Sequence, residues 1–100
     1  MRLDLLNRLI EAQELTSVEL TGDSIESHVD AVNQWRDKVL TTNALLDASI
    51  THEEKLAVME LETYSSLLIE RLNVFLKQLQ IEQQQLIKQN LAISAYNKAR

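Results

Sequence analysis

Apolar positions in the second half of the chain recur in a 4-3 rhythm: Leu61, Leu68, Leu72, Phe75, Leu79, Leu86, Ile93, Tyr96. That spacing keeps returning to one face of an α-helix. The chain has no Pro and a single Gly, Gly22, so no residue in this half breaks a helix on propensity grounds. The pattern predicts one helix over residues 52–98. At about 1.5 Å per residue it would run on the order of 70 Å.

Two shorter helices are predicted ahead of it, over residues 2–20 and 24–48. Leu5, Leu6, Leu9, Ala12 and Leu15 or Thr16 give the first a core face. Ile25, Val29, Val32, Val39 and Leu46 give the second its own, with Trp35 one position off the line and broadening it. Thr21-Gly22-Asp23 is the clearest boundary. Gly22 is expected to close the first helix in the left-handed conformation. Asp23 is expected to cap the second, with Glu26 completing a capping-box arrangement. A connection this short makes the two helices antiparallel neighbours. Thr51-His52-Glu53-Glu54 repeats the capping-box pattern and marks the start of the third helix.

The expected fold is therefore all-α and a single domain over residues 1–100. It is an antiparallel three-helix bundle with an over-long third helix, whose distal part projects, folds back or dimerises. Val32, Trp35, Leu72 and Phe75 are expected in the core. The stripe is wide around Leu67–Leu76, as suits a helix touching two neighbours. Past Leu79 one seam turns polar at Glu82 and Gln89, while Leu79, Leu86 and Ile93 continue the other. A permanent coiled coil prefers both seams apolar, so the distal segment suits conditional contact. It still carries Ile81, Leu86, Ile87, Leu91, Ile93 and Tyr96. The run Gln80–Gln85 leaves two alternatives open, a continuous helix or a bend there, since glutamine is not itself a breaker.

Composition narrows the function. A chain of 100 residues buries only about 60–65% of the surface its unfolded form exposes, so its core is a seam between helices. The net charge of −5 is unevenly spread. Residues 1–54 hold eleven acids and four bases, and residues 55–100 hold four acids and six bases. The acidic half disfavours nucleic acid, and the dilute bases of the other half read as a solvated helix face. Without cysteine there is no disulfide or thiolate chemistry. Asp4, Asn7, Arg8 and Glu11 interrupt the N-terminus where a signal peptide would be apolar. No stretch approaches the ~18 apolar residues of a membrane span. A soluble cytoplasmic protein without membrane insertion is the expectation.

Catalytic templates fail. His52-Glu53-Glu54-Lys55 opens like a zinc helix motif but lacks the second histidine. His28 is expected at the surface or boundary of the second helix, without the Lys or Gly that would support a phosphorelay role. No Glu-x-x-His pair points to a di-iron bundle, and one glycine cannot build a phosphate loop. No enzyme activity, metal or cofactor is expected. Trp35, Tyr64 and Phe75 read as packing residues. Tyr96, near the chain end, must pack back or be offered to a partner.

Three stretches carry a resemblance. They are Leu67-Leu68-Ile69-Glu70-Arg71-Leu72-Asn73, then Gln83-Gln84-Gln85-Leu86-Ile87-Lys88-Gln89-Asn90, closing on Ala95-Tyr96-Asn97-Lys98. Together they resemble the small flagellar type III export chaperones of the FliT class and their Vibrio-type relatives described as flagellar rod proteins. Arg36-Asp37-Lys38-Val39-Leu40, followed by Leu45-Leu46, is similar to that family's second helix. The resemblance covers the architecture of the chain and about thirty residues in detail. It implies cytoplasmic binding of a filament-cap or hook-associated subunit before export. It also implies docking on an export-gate or ATPase component, and in some members restraint of the flagellar transcription activator. Tyr96 matches the family tyrosine associated with gate contact. The sequence reading adds Leu86, Ile87 and Ile93 to Tyr96 as a partner-binding face, for a client helix laid in a groove. The alternatives are a structural coiled coil whose distal helix forms a homodimer, and a regulatory anti-activator.

Overall fold

A computed structural model describes residues 2–99, with side chains through residue 89. Its elements are α1 (Leu3–Ser17), α2 (Ile25–Ala44) and α3 (His52–Ala99), and no strand occurs among the described residues. The architecture is the three-helix bundle with an over-long third helix, 83% helical. α1 packs against both other helices, and α2 and α3 also touch.

The direction of each helix follows from what joins its ends. Arg2, just before α1, donates to the Leu45 carbonyl just after α2 (3.5 Å), so these two helices are antiparallel. At the other end of α1, Arg71 of α3 donates to the carbonyls of Leu15 (3.1 Å) and Val18 (2.8 Å). α1 therefore runs parallel to α3, and α2 runs against both. The core they share holds Leu5, Leu9 and Ala12 from α1, Val32, Trp35 and Val39 from α2, and Ala57, Leu61, Leu68 and Leu72 from α3. Leu5, Val32, Leu61 and Leu68 are wholly buried. Each such side chain stabilises the fold by about 1.5–3 kcal/mol relative to exposure. Trp35 is buried with its polar edge satisfied, because Nε1 donates to the Arg8 carbonyl at 2.9 Å.

The capping box at Thr51 forms in both directions. The Thr51 amide donates to Glu54 Oε1 (3.0 Å), and the Glu54 amide donates to Thr51 Oγ1 (3.1 Å). This fixes the start of the long helix and holds the Glu54 carboxyl below its usual range.

Four sequence expectations are corrected. α1 ends at Ser17 rather than residue 20, with Val18 already extended (φ −72°, ψ 130°). The β-branched Val18 and the reach of Arg71 to the last carbonyls account for the early stop. Gly22 does not take the left-handed conformation, since no glycine has positive φ. Asp23 does not cap α2; it lies in the preceding turn, and Ser24 occupies the boundary in αR conformation. There the Thr21 and Ser24 hydroxyls bond each other at 2.9 Å, so a side-chain-bonded turn replaces the glycine cap. α2 stops at Ala44 rather than residue 48. Its continuation, 45–51, is a connection in which Asp47 accepts from the Ser49 amide at 2.9 Å, an Asx-type turn that competes with the helix.

Three burial expectations change as well. His28, expected at the surface or boundary, is 4% exposed. Phe75, expected in the core, is only half-buried because α1 ends before reaching far enough along α3 to cover it. Leu6, assigned to the α1 core face, is exposed at 40%.

Candidate partner-binding face of the long helix

α3 is 48 residues long, against 15 for α1 and 20 for α2. At about 1.5 Å per residue, α2 covers roughly 30 Å of an axis of roughly 70 Å. The molecule is accordingly a rod of 77 × 19 × 18 Å. Burial along α3 follows that mismatch. Ala57, Leu61, Leu68 and Leu72 are buried, Phe75 and Leu79 are half-buried, and every residue from Gln80 to Gln89 is exposed. The helix is unbroken through the glutamine run, so of the two alternatives there it takes the continuous one.

Past Leu79 the seam buried within the bundle emerges into solvent. Leu86 stands two heptads beyond Leu72 in the same row and is 58% exposed. Ile87, also 58% exposed, lies on the row of Ile69 and Leu76. Ile81 (45%) continues the opposite flank, Leu67 and Val74, both of which are exposed too. Leu86, Ile87 and Ile81 stand about 100° or more apart around the helix, so apolar side chains leave the bundle on several sides, with no covering element among the described residues. Between Gln78 and Gln89 the only charges are Glu82 and Lys88, so the rest of that surface is neutral amide.

Of the four residues assigned to this face, Leu86 and Ile87 project from the uncovered helix. The side chains of Ile93 and Tyr96 lie outside the described residues; their backbone is within α3. The sequence reading missed the flank nearer the bundle. There Leu20, Leu67, Val74, Phe75 and Gln78 line an open groove with Glu70 and Arg71 on its rim. The row Leu67-Val74-Ile81 signalled the flank, but the early end of α1 exposes it.

The remaining surface has little reactive chemistry. Among the described residues, no group of three or more His, Asp or Glu side chains is placed to hold a metal ion. No helix among them is long and apolar enough to cross a membrane. The ion pairs are peripheral: Arg2–Asp4 at 3.2 Å, and Arg8–Glu11 at 2.9 Å with Lys38 at 4.0 Å from the same carboxylate oxygen. Such pairs contribute about 0–1 kcal/mol each. Asp47 is held below the usual carboxylate range by the side chain and backbone of Ser49. His28 is held below its ordinary value by burial first and by the Arg71 charge second.

The free half of α3 is thus an unbroken α-helix with exposed apolar side chains in a mostly neutral polar surround. Comparison with known protein families, curated proteins and solved structures finds no match for the chain.

Proposed function

We propose that this chain is a non-enzymatic partner-binding protein, a cytoplasmic export chaperone that masks the helical end of a flagellar filament-cap or hook-associated subunit. The observation that carries the reading is the emergence of a bundle seam into solvent, with Leu86 and Ile87 each 58% exposed on an unbroken helix. A client's amphipathic helix would lie along Leu79, Leu86 and Ile87, with Ile93 and Tyr96 extending the strip by their heptad positions. Glu82 and Gln89 weaken permanent pairing and leave the strip free to exchange. The sequence resemblance supplies the flagellar context, including docking on an export-gate or ATPase component. No cofactor has a role in this reading.

The test is binding of synthetic terminal-helix peptides from filament-cap and hook-associated subunits. Leu86→Ala with Ile87→Ala, and separately Tyr96→Ala, should weaken the tightest peptide about tenfold or more and leave Tm almost unchanged. If stability falls and binding does not, these residues are structural and the working surface lies elsewhere. If no such peptide binds, the flagellar reading fails.

A second reading is favoured by the same strip: pairing of two copies through the distal helix as a structural coiled coil. It requires a stable dimer that a client peptide does not dissociate. An anti-activator would instead bind a transcription activator through this strip.

A further inference from the structure

Away from Leu86, two neighbouring heptad rows of α3 carry a pattern of their own. One reads Glu60, Leu67, Val74, Ile81, Lys88, and the other reads Thr63, Glu70, Lys77, Gln84. All nine residues are exposed, and none of the four charges belongs to an ion pair among the described residues. Both rows turn away from the core, which takes Leu61, Leu68 and Leu72 from this stretch of the helix. At about 100° per residue, Ile81 stands about 140° around the helix from Leu86, so this face is separate from the strip proposed for a client. At its middle lies the open groove that Leu20, Leu67 and Phe75 form beside Val74, which is 60% exposed.

We propose that the occupant of this face is a second copy of the chain, docked antiparallel on the same two rows with a two-fold axis beside Val74.

The residues are self-complementary in that register. When a two-fold axis relates two antiparallel helices, each row lies beside its own counterpart, running the other way. In the first row Val74 meets Val74, Leu67 meets Ile81, and Glu60 meets Lys88. In the second row Glu70 meets Lys77 and Thr63 meets Gln84, at levels that agree with those of the first to within about 1 Å. Apolar meets apolar, hydroxyl meets amide, and each acid meets a base.

The same residues oppose the other arrangements. A parallel pair puts every position on itself, so Glu60, Glu70, Lys77 and Lys88 all meet like charge. Sliding the antiparallel pair by one heptad one way puts Glu70 on Glu70 and Ile81 on Glu60. Sliding it the other way puts Lys77 on Lys77 and Leu67 on Lys88. Like charges set side by side, and charges set against apolar groups, select against such pairings. The apolar centre is three side chains per copy, so the dimer is a weak one, with a dissociation constant of roughly 1–100 µM. Leu86 stays open on both copies, and the pairing therefore stands or falls independently of any client.

The experiment is sedimentation equilibrium of the full-length chain at low ionic strength, over about 1–500 µM. The chain should pass from monomer to dimer across that range. Val74→Asp should weaken the dimer about tenfold or more and leave the Tm of dilute protein unchanged, because it changes an exposed position. Glu70→Lys and Lys77→Glu, each alone, set two like-charge contacts at the interface and should weaken it about tenfold. An equimolar mixture of these two variants should pair again, and so should the double variant, because each restores acid against base. A chain that stays monomeric over the whole range overturns the proposal and leaves the face to a partner of other chemistry. A dimer that survives Val74→Asp, or that Leu86→Ala dissociates instead, overturns it by placing the self-contact on another face. Failure of both the mixture and the double variant to pair overturns the antiparallel register.

Discussion

Leu68→Ala and Leu86→Ala make the same chemical change at two points along one helix, and the structure assigns them opposite costs. Leu68 is wholly buried between α1, α2 and its own helix, whereas Leu86 is 58% exposed with nothing across from it. Removing the Leu68 side chain beyond Cβ takes about three methylene equivalents out of the core, about 2.4 kcal/mol at about 0.8 kcal/mol each. The cavity left behind raises the expected cost to about 3–4 kcal/mol, within the range for buried Leu→Ala changes. For a bundle with about 5–10 kcal/mol in total, that is a large fraction. Leu86→Ala removes no intramolecular contact, and alanine is at least as good a helix former, so the cost should stay within about 0.5 kcal/mol. Urea unfolding followed by circular dichroism, at several protein concentrations, reads both. If Leu86→Ala costs above about 2 kcal/mol independently of concentration, the distal helix packs on its own chain and the projecting rod is wrong. A cost that grows with concentration instead assigns Leu86 to a self-contact.

Phe75→Ala should cost about 1–2 kcal/mol, because the ring is half-buried; a loss of 3–5 kcal/mol in urea unfolding would place it in a closed core. Thr51→Ala removes one arm of the capping box and should cost about 1 kcal/mol in the same assay; no change would mean the helix starts without it. Truncation after Gln78 should leave a folded bundle of nearly unchanged Tm and a smaller sedimenting species. If full-length protein self-associates and the truncated form does so equally, the contact is not on the distal helix.

The sequence made the helices legible but not their ends. Apolar periodicity and the lack of Pro suffice for α3, because a single helix needs only local agreement among its own residues. The Thr51 cap was legible for the same reason: its two partners lie three residues apart. The end of α1 was not legible, since beside the local Val18 amide its Leu15 carbonyl accepts from Arg71, 56 residues away. Gly22 misled the reading because a glycine permits the left-handed conformation without requiring it. His28 was misplaced because periodicity ranks residues by hydrophobicity, and a neutral imidazole packs like an apolar ring. For the working face, exposure depends on where α1 and α2 stop. Leu86 and Ile87 could be proposed from helix lengths alone, whereas the groove at Leu67, Val74 and Phe75 depends on the early end of α1.

The Arg71 cap also orders the folding of the chain in time. α1 is 15 residues long, near the lower limit at which a helix persists in water without tertiary help. The Leu15 and Val18 carbonyls also accept from a guanidinium separated from them by all of α2 and the first nineteen residues of α3. During synthesis the α1–α2 hairpin can therefore meet early, but the contacts of Arg71 with the end of α1 form only once Arg71 has emerged and α3 has formed around it. Closing so long a loop is the slow kind of contact, in a topology whose other contacts are mostly local. The long helix is thus made after α1 and adds the contacts that complete it.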